Sequence, residues 1–390
     1  MSTLKVDGIR SNSATSDAIT LASDGTCTAN ITNNLSNRRL TINGAMQVAQ
    51  RGQVTGVTNG FGGPDRYRFH SNHNAVTMSQ STDVPTGEGF VKSLKLDVTT
   101  AGGDSNADTF TEINYKFEGQ DLQSLCYGTS SAKTITLSFW IKSPKAGIHW
   151  VRLYGDELSD GNNAFICRKY TVSTANTWQK VTLSFPGYTS DGFNNDNTTG
   201  MRISWYFAQG SAYSSGTAQA DDGGWLDWSS ASDRARNTVG QVNCFDSTSN
   251  DIYLTGVQLE VGSVATDFEH RSYAQELELC RRYFQVLVDD GSPKSFGNGT
   301  CYSATNMHLI VQLNPEMRTT PTLDYTTGSN YYDMYRDNSA DQFDSFSLEG
   351  TSHKRAVDLF ATGGASGSQG ASALLRTNNS NAKIRFTAEL

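Results

Sequence analysis

The densest group of side chains that could recognise a ligand is Trp225-Leu226-Asp227-Trp228, preceded by Asp221-Asp222-Gly223-Gly224 and, further back, by Tyr213. Two indoles in a segment rich in Gly and Ser offer flat apolar faces beside carboxylates, a combination that suits the C–H face and the hydroxyls of a sugar. The alternative is that the tryptophans fold back as loop packing or meet a neighbouring chain. Trp225, Trp228, Tyr213, Asp221, Asp222 and Asp227 are thus the candidate carbohydrate-binding residues.

Candidates for catalysis are weaker. Asp156/Glu157, Asp221/Asp222 and Asp289/Asp290 are adjacent pairs near glycine. General acid–base work needs carboxylates that face one another, whereas neighbours in a strand point to opposite sides and neighbours in a turn point into water. The chain contains no His-Glu-x-x-His, no Gly-x-Ser-x-Gly elbow and no phosphate-binding glycine loop. No catalytic residue is assigned and no enzyme is expected; a glycan depolymerase would need carboxylates that meet only in the fold or across chains. Asp191-Gly-Phe-Asn-Asn-Asp196-Asn is rich in oxygen, which makes Asp191 and Asp196 candidates for a structural calcium. The segment lacks the EF-hand order, and its alternative is an ordinary turn. His70 and His73 have no third ligand near in sequence and read as surface residues of a loop. Beyond that calcium, no cofactor or metal is expected.

The elements that must position these groups are mostly β. The chain has 390 residues, 36 of them Gly, and only 18% charged residues, a composition that favours turns and strands over helix interiors. Ile135/Leu137/Phe139/Ile141, Val181/Leu183/Phe185, Met201/Ile203/Trp205/Phe207, Leu94/Leu96/Val98 and Ile113/Tyr115/Phe117 each alternate with polar residues, the period of a half-buried strand. Between 252 and 261 the apolar parity switches, from Ile252/Leu254 to Val257/Leu259/Val261. Only an inserted residue keeps both sets on one face, and Gly256 is the natural place for that bulge. Regular short strands with glycine-rich turns point to a sandwich over 39–270.

One helix is predicted over about 273–285. Ser272 and Gln275 form a capping box, and Tyr273, Leu277, Cys280 and Phe284 recur at helical spacing down one face. This stripe either packs on the chain's own sandwich or forms a short seam between three copies, for which these four residues are the candidate oligomer interface. Residues 289–390 alternate again at Met307/Leu309/Val311/Leu313 and Ile384/Phe386/Ala388/Leu390, enough for a smaller second sandwich. The polar segment 1–38 is too short to bury a core alone, so it is expected to lie against another chain.

Charge and cysteine content narrow the partners. The net charge is −8 and no Lys/Arg block exceeds two residues, which argues against nucleic acid. No run is long and apolar enough to span a bilayer, and the N-terminus lacks an apolar signal core, so synthesis in a cytoplasm is expected. The six cysteines show no Cys-x-x-Cys spacing and read as reduced, packed thiols.

Several stretches resemble a known family. Val257-Gln-Leu-Glu-Val-Gly-Ser-Val-Ala-Thr-Asp-Phe-Glu-His-Arg-Ser-Tyr, running into Glu278-Leu-Cys-Arg-Arg-Tyr-Phe, is similar to a junction in fibre and receptor-binding proteins of tailed bacteriophages, especially marine and cyanobacterial phages. Asn43-Gly-Ala-Met-Gln-Val-Ala-Gln-Arg-Gly with Asp65-Arg-Tyr-Arg-Phe resembles the start of the same module, and Pro315-Glu-Met-Arg-Thr-Thr-Pro-Thr-Leu the β domain that follows. Lys5-Val-Asp-Gly-Ile-Arg-Ser looks like the short N-terminal segments of such proteins. The resemblance implies a virion structural protein made in the host cytoplasm, a homotrimer with a central jelly roll similar to carbohydrate-binding modules. It further implies contact with other virion proteins through 1–38 and with host surface polysaccharide, on a tail fibre or spike or, alternatively, on a head fibre or decoration without a receptor role.

Overall fold

The computed structural model describes residues 6–390 apart from 16, 22, 24–26, 30–36, 104–105, 157, 159–162, 290 and 363–366. Glu157, Asp290 and Lys5 of the sequence readings lie outside the described residues. The chain is mainly β, as expected, and all the strand pairs are antiparallel. None of the described helices is long and apolar enough to cross a membrane.

Two sheets make the central jelly-roll sandwich. One has six strands in the order Trp178–Phe185, Ile135–Lys142, Asp251–Val261, Ser93–Thr100, Ala75–Ser81, Val54–Val57. The other has seven, in the order Leu226–Asp227, Ala164–Val172, Gly147–Gly155, Thr199–Gln209, Phe110–Glu118, Arg68–Ser71, Asn59–Phe61. In the five strands read from strict alternation the apolar positions face inward: Ile135, Leu137, Phe139 and Ile141 are fully buried, as are Met201, Ile203, Trp205 and Phe207. Phe139 meets Trp205 edge to face across the sheets, with ring centroids 5.8 Å apart. Each such side chain contributes roughly 1.5–3 kcal/mol by leaving water.

Gly256 is the bulge. Ser138 pairs with Gln258 while Trp140 pairs with Thr255, so one extra residue sits between them, and both Leu254 and Val257 stay in the core. Its φ of +63° belongs to the left-handed region, and a Cβ there would lie 2.7 Å from Phe90 Cζ. Val261, read as the last core position of this strand, is instead exposed.

The helix covers Tyr273–Arg281, with the Ser272/Gln275 capping box in place. It ends earlier than the predicted 285, and Phe284 belongs to the strand Phe284–Val288, which pairs with Ile384–Thr387 in the second β unit. The expected stripe is therefore not one helix face. Cys280 and Phe284 are buried within the chain, Leu277 is half-buried and Tyr273 is exposed, while the helix also buries Glu276 against Arg39. The packed end of this stripe serves the chain's own core, because the strand takes over where the helix stops.

The second unit packs a three-stranded sheet (Phe284–Val288, Ile384–Thr387, Thr322–Tyr325) onto a seven-stranded one running from Ser339–Phe343 to Ser347–Leu348, around Met307, Leu309, Leu313, Ile384, Phe386 and Ala388. At the other end, Gly8–Ile9, Ile19–Leu21 and Cys27–Ala29 pair with one another into a three-stranded meander. Val6, Ile9 and Leu21 remain exposed, and none of the three core clusters of described residues includes a residue before Leu40.

Candidate functional site

The outer face of the seven-stranded central sheet carries the site. Strand alternation that sends Ile113, Tyr115 and Phe117 inward sends Glu112, Asn114 and Lys116 outward. Pairing registers then align outward residues of neighbouring strands in rows. His70 pairs with Glu112, and Glu112 with Tyr206. Arg68 pairs with Asn114, Asn114 with Ser204, Ser204 with Arg152 and Arg152 with Cys167. Lys116 pairs with Arg202, Arg202 with Tyr154 and Tyr154 with Phe165.

The segment 210–242 folds over one side of this face. Trp150 donates its indole N–H to the Val239 carbonyl at 3.0 Å, the Cys167 backbone N–H donates to Gln219 Oε1 at 2.7 Å, and Cys167 Sγ donates to Asn237 Oδ1 at 3.0 Å. Trp228 comes down on Tyr154 and Phe165, each edge to face at 5.3 Å, with the Arg152 guanidinium 4.6 Å from its ring. Tyr213 lies parallel to Trp228 within 10° at 6.5 Å. What stays open is a groove of about 150 Å³ whose lining includes His70, Glu112, Arg152, Arg202, Tyr206 and Trp228.

Glu112 is the groove's central charge. Burial by itself would raise its carboxyl, but His70 Nδ1 at 3.6 Å, Arg152 Nη2 at 3.7 Å and nearby Arg202 outweigh burial and hold it far below the usual carboxylate range. Arg202 also faces Asp156 at 3.7 Å; that carboxyl is raised, chiefly by burial. Arg152 Nε, Arg202 Nε and Gln209 Oε1 are buried without a protein hydrogen-bond partner. A groove with a fixed carboxylate, forked donors and a flat aromatic wall can bind a polyhydroxylated ring, donating to and accepting from its hydroxyls.

Only part of the sequence-derived set is brought together. Trp228 and Tyr213 line the groove. Trp225 points elsewhere, against Tyr188 and Tyr127 at the edge of the main core, donating to the Pro186 carbonyl at 2.9 Å. The two indoles separate because Leu226–Asp227 pairs as a strand with Ala164–Phe165, which aims residues on either side of it differently. Asp221 and Asp222 are exposed outside the groove, Asp221 lying 3.6 Å from Lys169. Asp227 is spent on its own turn, accepting from Ser229 N and Oγ at 2.8 Å each, bonds that lower its pKa. Asp191 and Asp196 likewise accept from Gly192 N and from Thr198, and among the described residues no three His, Cys, Asp or Glu gather as metal ligands. His70 sits in the strand Arg68–Ser71 and not in a loop.

Glu112, Arg152, Arg202 and Tyr206 were missed by the sequence reading. For Glu112, Arg202 and Tyr206 the signal is the outward half of the alternation whose inward half identifies their strands; Arg152 lies on Gly147–Gly155, a strand the alternation did not single out.

No family model matches the sequence, and neither does any curated protein. Solved structures similar in fold include the enzymatically active domain of tailspike protein 4 of bacteriophage CBA120, at 12% identity and TM-score 0.31 over 57% of this chain and 21% of that one. A xylan-binding CBM22-1 domain of Paenibacillus barcinonensis Xyn10C matches at 9% identity and TM-score 0.28 over 60% of this chain and 100% of its own. A putative sugar binding protein of Bacteroides thetaiotaomicron matches at 11% identity and TM-score 0.29, over 58% and 100%.

Proposed function

We propose that the protein is a phage virion appendage, a tail fibre or spike of the receptor-binding type, that assembles as an oligomer and holds host surface glycan in the groove over Glu112. The observation that carries the glycan reading is the juxtaposition of the Trp228–Tyr213 wall with a buried, fully charged Glu112–Arg152 floor. Binding fits this floor better than proton transfer. A general acid needs a pKa near the working pH, and Glu112 is held far below it by surrounding cations.

Assembly is supported by the sequence resemblance and by exposed apolar groups near the N-terminus and on the helix. Val6, Ile9 and Leu21 on the N-terminal meander, with Tyr273 and Leu279 on the helix, are apolar surface that association would cover. Contact with other virion proteins falls to residues 1–38 in this reading. Display in several copies raises avidity by roughly 10²–10⁴ without new contacts, so a shallow groove suffices.

The test is a glycan array probed with the intact protein and with Trp228→Ala. Retention of host polysaccharide, lost in the variant while its fold persists by circular dichroism, is the expected result. Intact polysaccharide and no new reducing ends separate binding from a depolymerase. A variant that adsorbs to host cells as well as the parent would favour a head fibre or decoration without a receptor role.

A further inference from the structure

The rows on the outer sheet face place two cations directly opposite each other. Lys116 and Arg202 are cross-strand partners, a position in which like charges repel. Neighbouring rows add Arg68 and Arg152, so four cations share this face with three carboxylates, Glu112, Asp156 and Glu118, the last of them taken by Arg282. Glu112 is engaged by Arg152 and His70, and Asp156 by Arg202. Neither Lys116 nor Arg68 has an ion-pair partner among the described residues. Burial lowers the Lys116 ammonium; Asp156 opposes that shift, and Arg202, Arg68 and Arg318 add to it, so the repulsion is only partly offset within the protein. All this lies on a chain whose net charge is −8. A face on which cations outnumber the carboxylates left to them favours an external anion.

We infer that the glycan held on this face is acidic, with a carboxylate or sulfate on its ring seated between Lys116, Arg202 and Arg68 while the ring itself lies along Glu112 and Trp228. The inference rests on the reading of the groove as a glycan site and names its ligand class. Forked guanidinium donors match the two oxygens of a carboxylate or sulfate, and Arg202 Nε is a buried donor that no protein group occupies. A polyphosphate chain would fit the charge but not the fixed Glu112 carboxylate, which would repel every phosphate passing it.

Calorimetric titration of the full-length protein tests this with polygalacturonate, a sulfated galactan, a neutral galactan and single-stranded DNA. One acidic polysaccharide should bind at least about tenfold more tightly than the neutral one at low salt, with the margin shrinking as salt rises. Which acidic polymer wins distinguishes carboxylate from sulfate. Lys116→Gln should reduce acidic binding about tenfold and leave neutral binding as it was, whereas Arg202→Gln and Trp228→Ala, which alter the groove itself, should weaken both. Equal binding of neutral and acidic polymers, or variants without effect, would overturn the acidic assignment and leave the glycan groove standing. DNA bound as tightly as the acidic glycan would overturn it too. Binding of no glycan at all would remove the groove reading itself.

Discussion

Arg282, the residue after the helix, grips both carboxylate oxygens of Glu118 on the central sandwich, Nε to Oε1 at 2.7 Å and Nη2 to Oε2 at 2.6 Å. The Tyr283 hydroxyl donates to the same Oε1 at 2.6 Å. Nearby, Arg318 of the second β unit donates to the Asn197 carbonyl at 2.8 Å and to the Ala388 and Glu389 carbonyls at 2.7 and 2.9 Å. Helix, sandwich and second unit are thus tied by charge-assisted bonds at a place where Glu118 is fully buried.

Breaking that tie should be costly. Arg282→Ala leaves the buried Glu118 carboxylate with only the neutral donors Tyr283 Oη and Gln120 Nε2, and about 2–3 kcal/mol of stability should be lost, less than for a fully buried pair because Arg282 is partly wet. Burial alone would raise Glu118, yet the bonds from Arg282 and Tyr283 hold it below its ordinary value. The tie is therefore complete above the unfolded carboxylate pKa and lost progressively as pH falls from there through the lower folded value. Scanning calorimetry should show one cooperative transition in the parent and a lowered or split one in the variant.

His149 sets a second, higher pH window. Its ring is fully buried, stacked on Tyr170 at 5.4 Å with Nε2 at 3.2 Å from the Lys145 carbonyl. Burial lowers its pKa from 6.5 to about 4, only partly offset by that carbonyl. A depressed pKa means stability present above the unfolded value and lost as pH falls toward the folded one. Roughly 3 kcal/mol should disappear across that window. Urea midpoints measured from pH 7 down to 4 should fall more steeply for the parent than for His149→Gln.

Gly256→Ala should destabilise by about 2–4 kcal/mol, summing the left-handed φ and the clash with Phe90 and Trp140. Gly56→Ala is the control. Its φ is +72° but nothing lies within 4 Å of the added Cβ, so only the backbone term of about 1 kcal/mol applies. Denaturant midpoints at constant slope would check the difference; equal costs would mean that the bulge does not fix its neighbours.

The thiols should react in two classes. Cys126 is half-exposed, whereas Cys167, Cys244, Cys280 and Cys301 are buried, and burial pushes Cys167 and Cys244 up to about 12. In a Cys27→Ser background, Ellman's reagent should find one fast thiol in native protein and four more only after unfolding. A rapid second thiol would show that the core opens locally.

By itself the sequence determined the strands, because period-2 alternation at Ile135–Ile141 or Met201–Phe207 leaves one arrangement that keeps the apolar set dry. It also located the Gly256 bulge, since a parity switch inside one strand needs an inserted residue, and the Ser272 start of the helix, since capping is local chemistry. It did not determine where the helix gives way to strand at Phe284, because that depends on pairing with Ile384–Thr387, a hundred residues away. Nor did it gather the groove: Glu112, Arg152, Arg202 and His70 lie on four strands and meet only through register, while Trp225 and Trp228, three residues apart, part to different cores. Side-chain proximity across a sheet is set by hydrogen-bond register between distant segments, and tertiary structure alone fixes that.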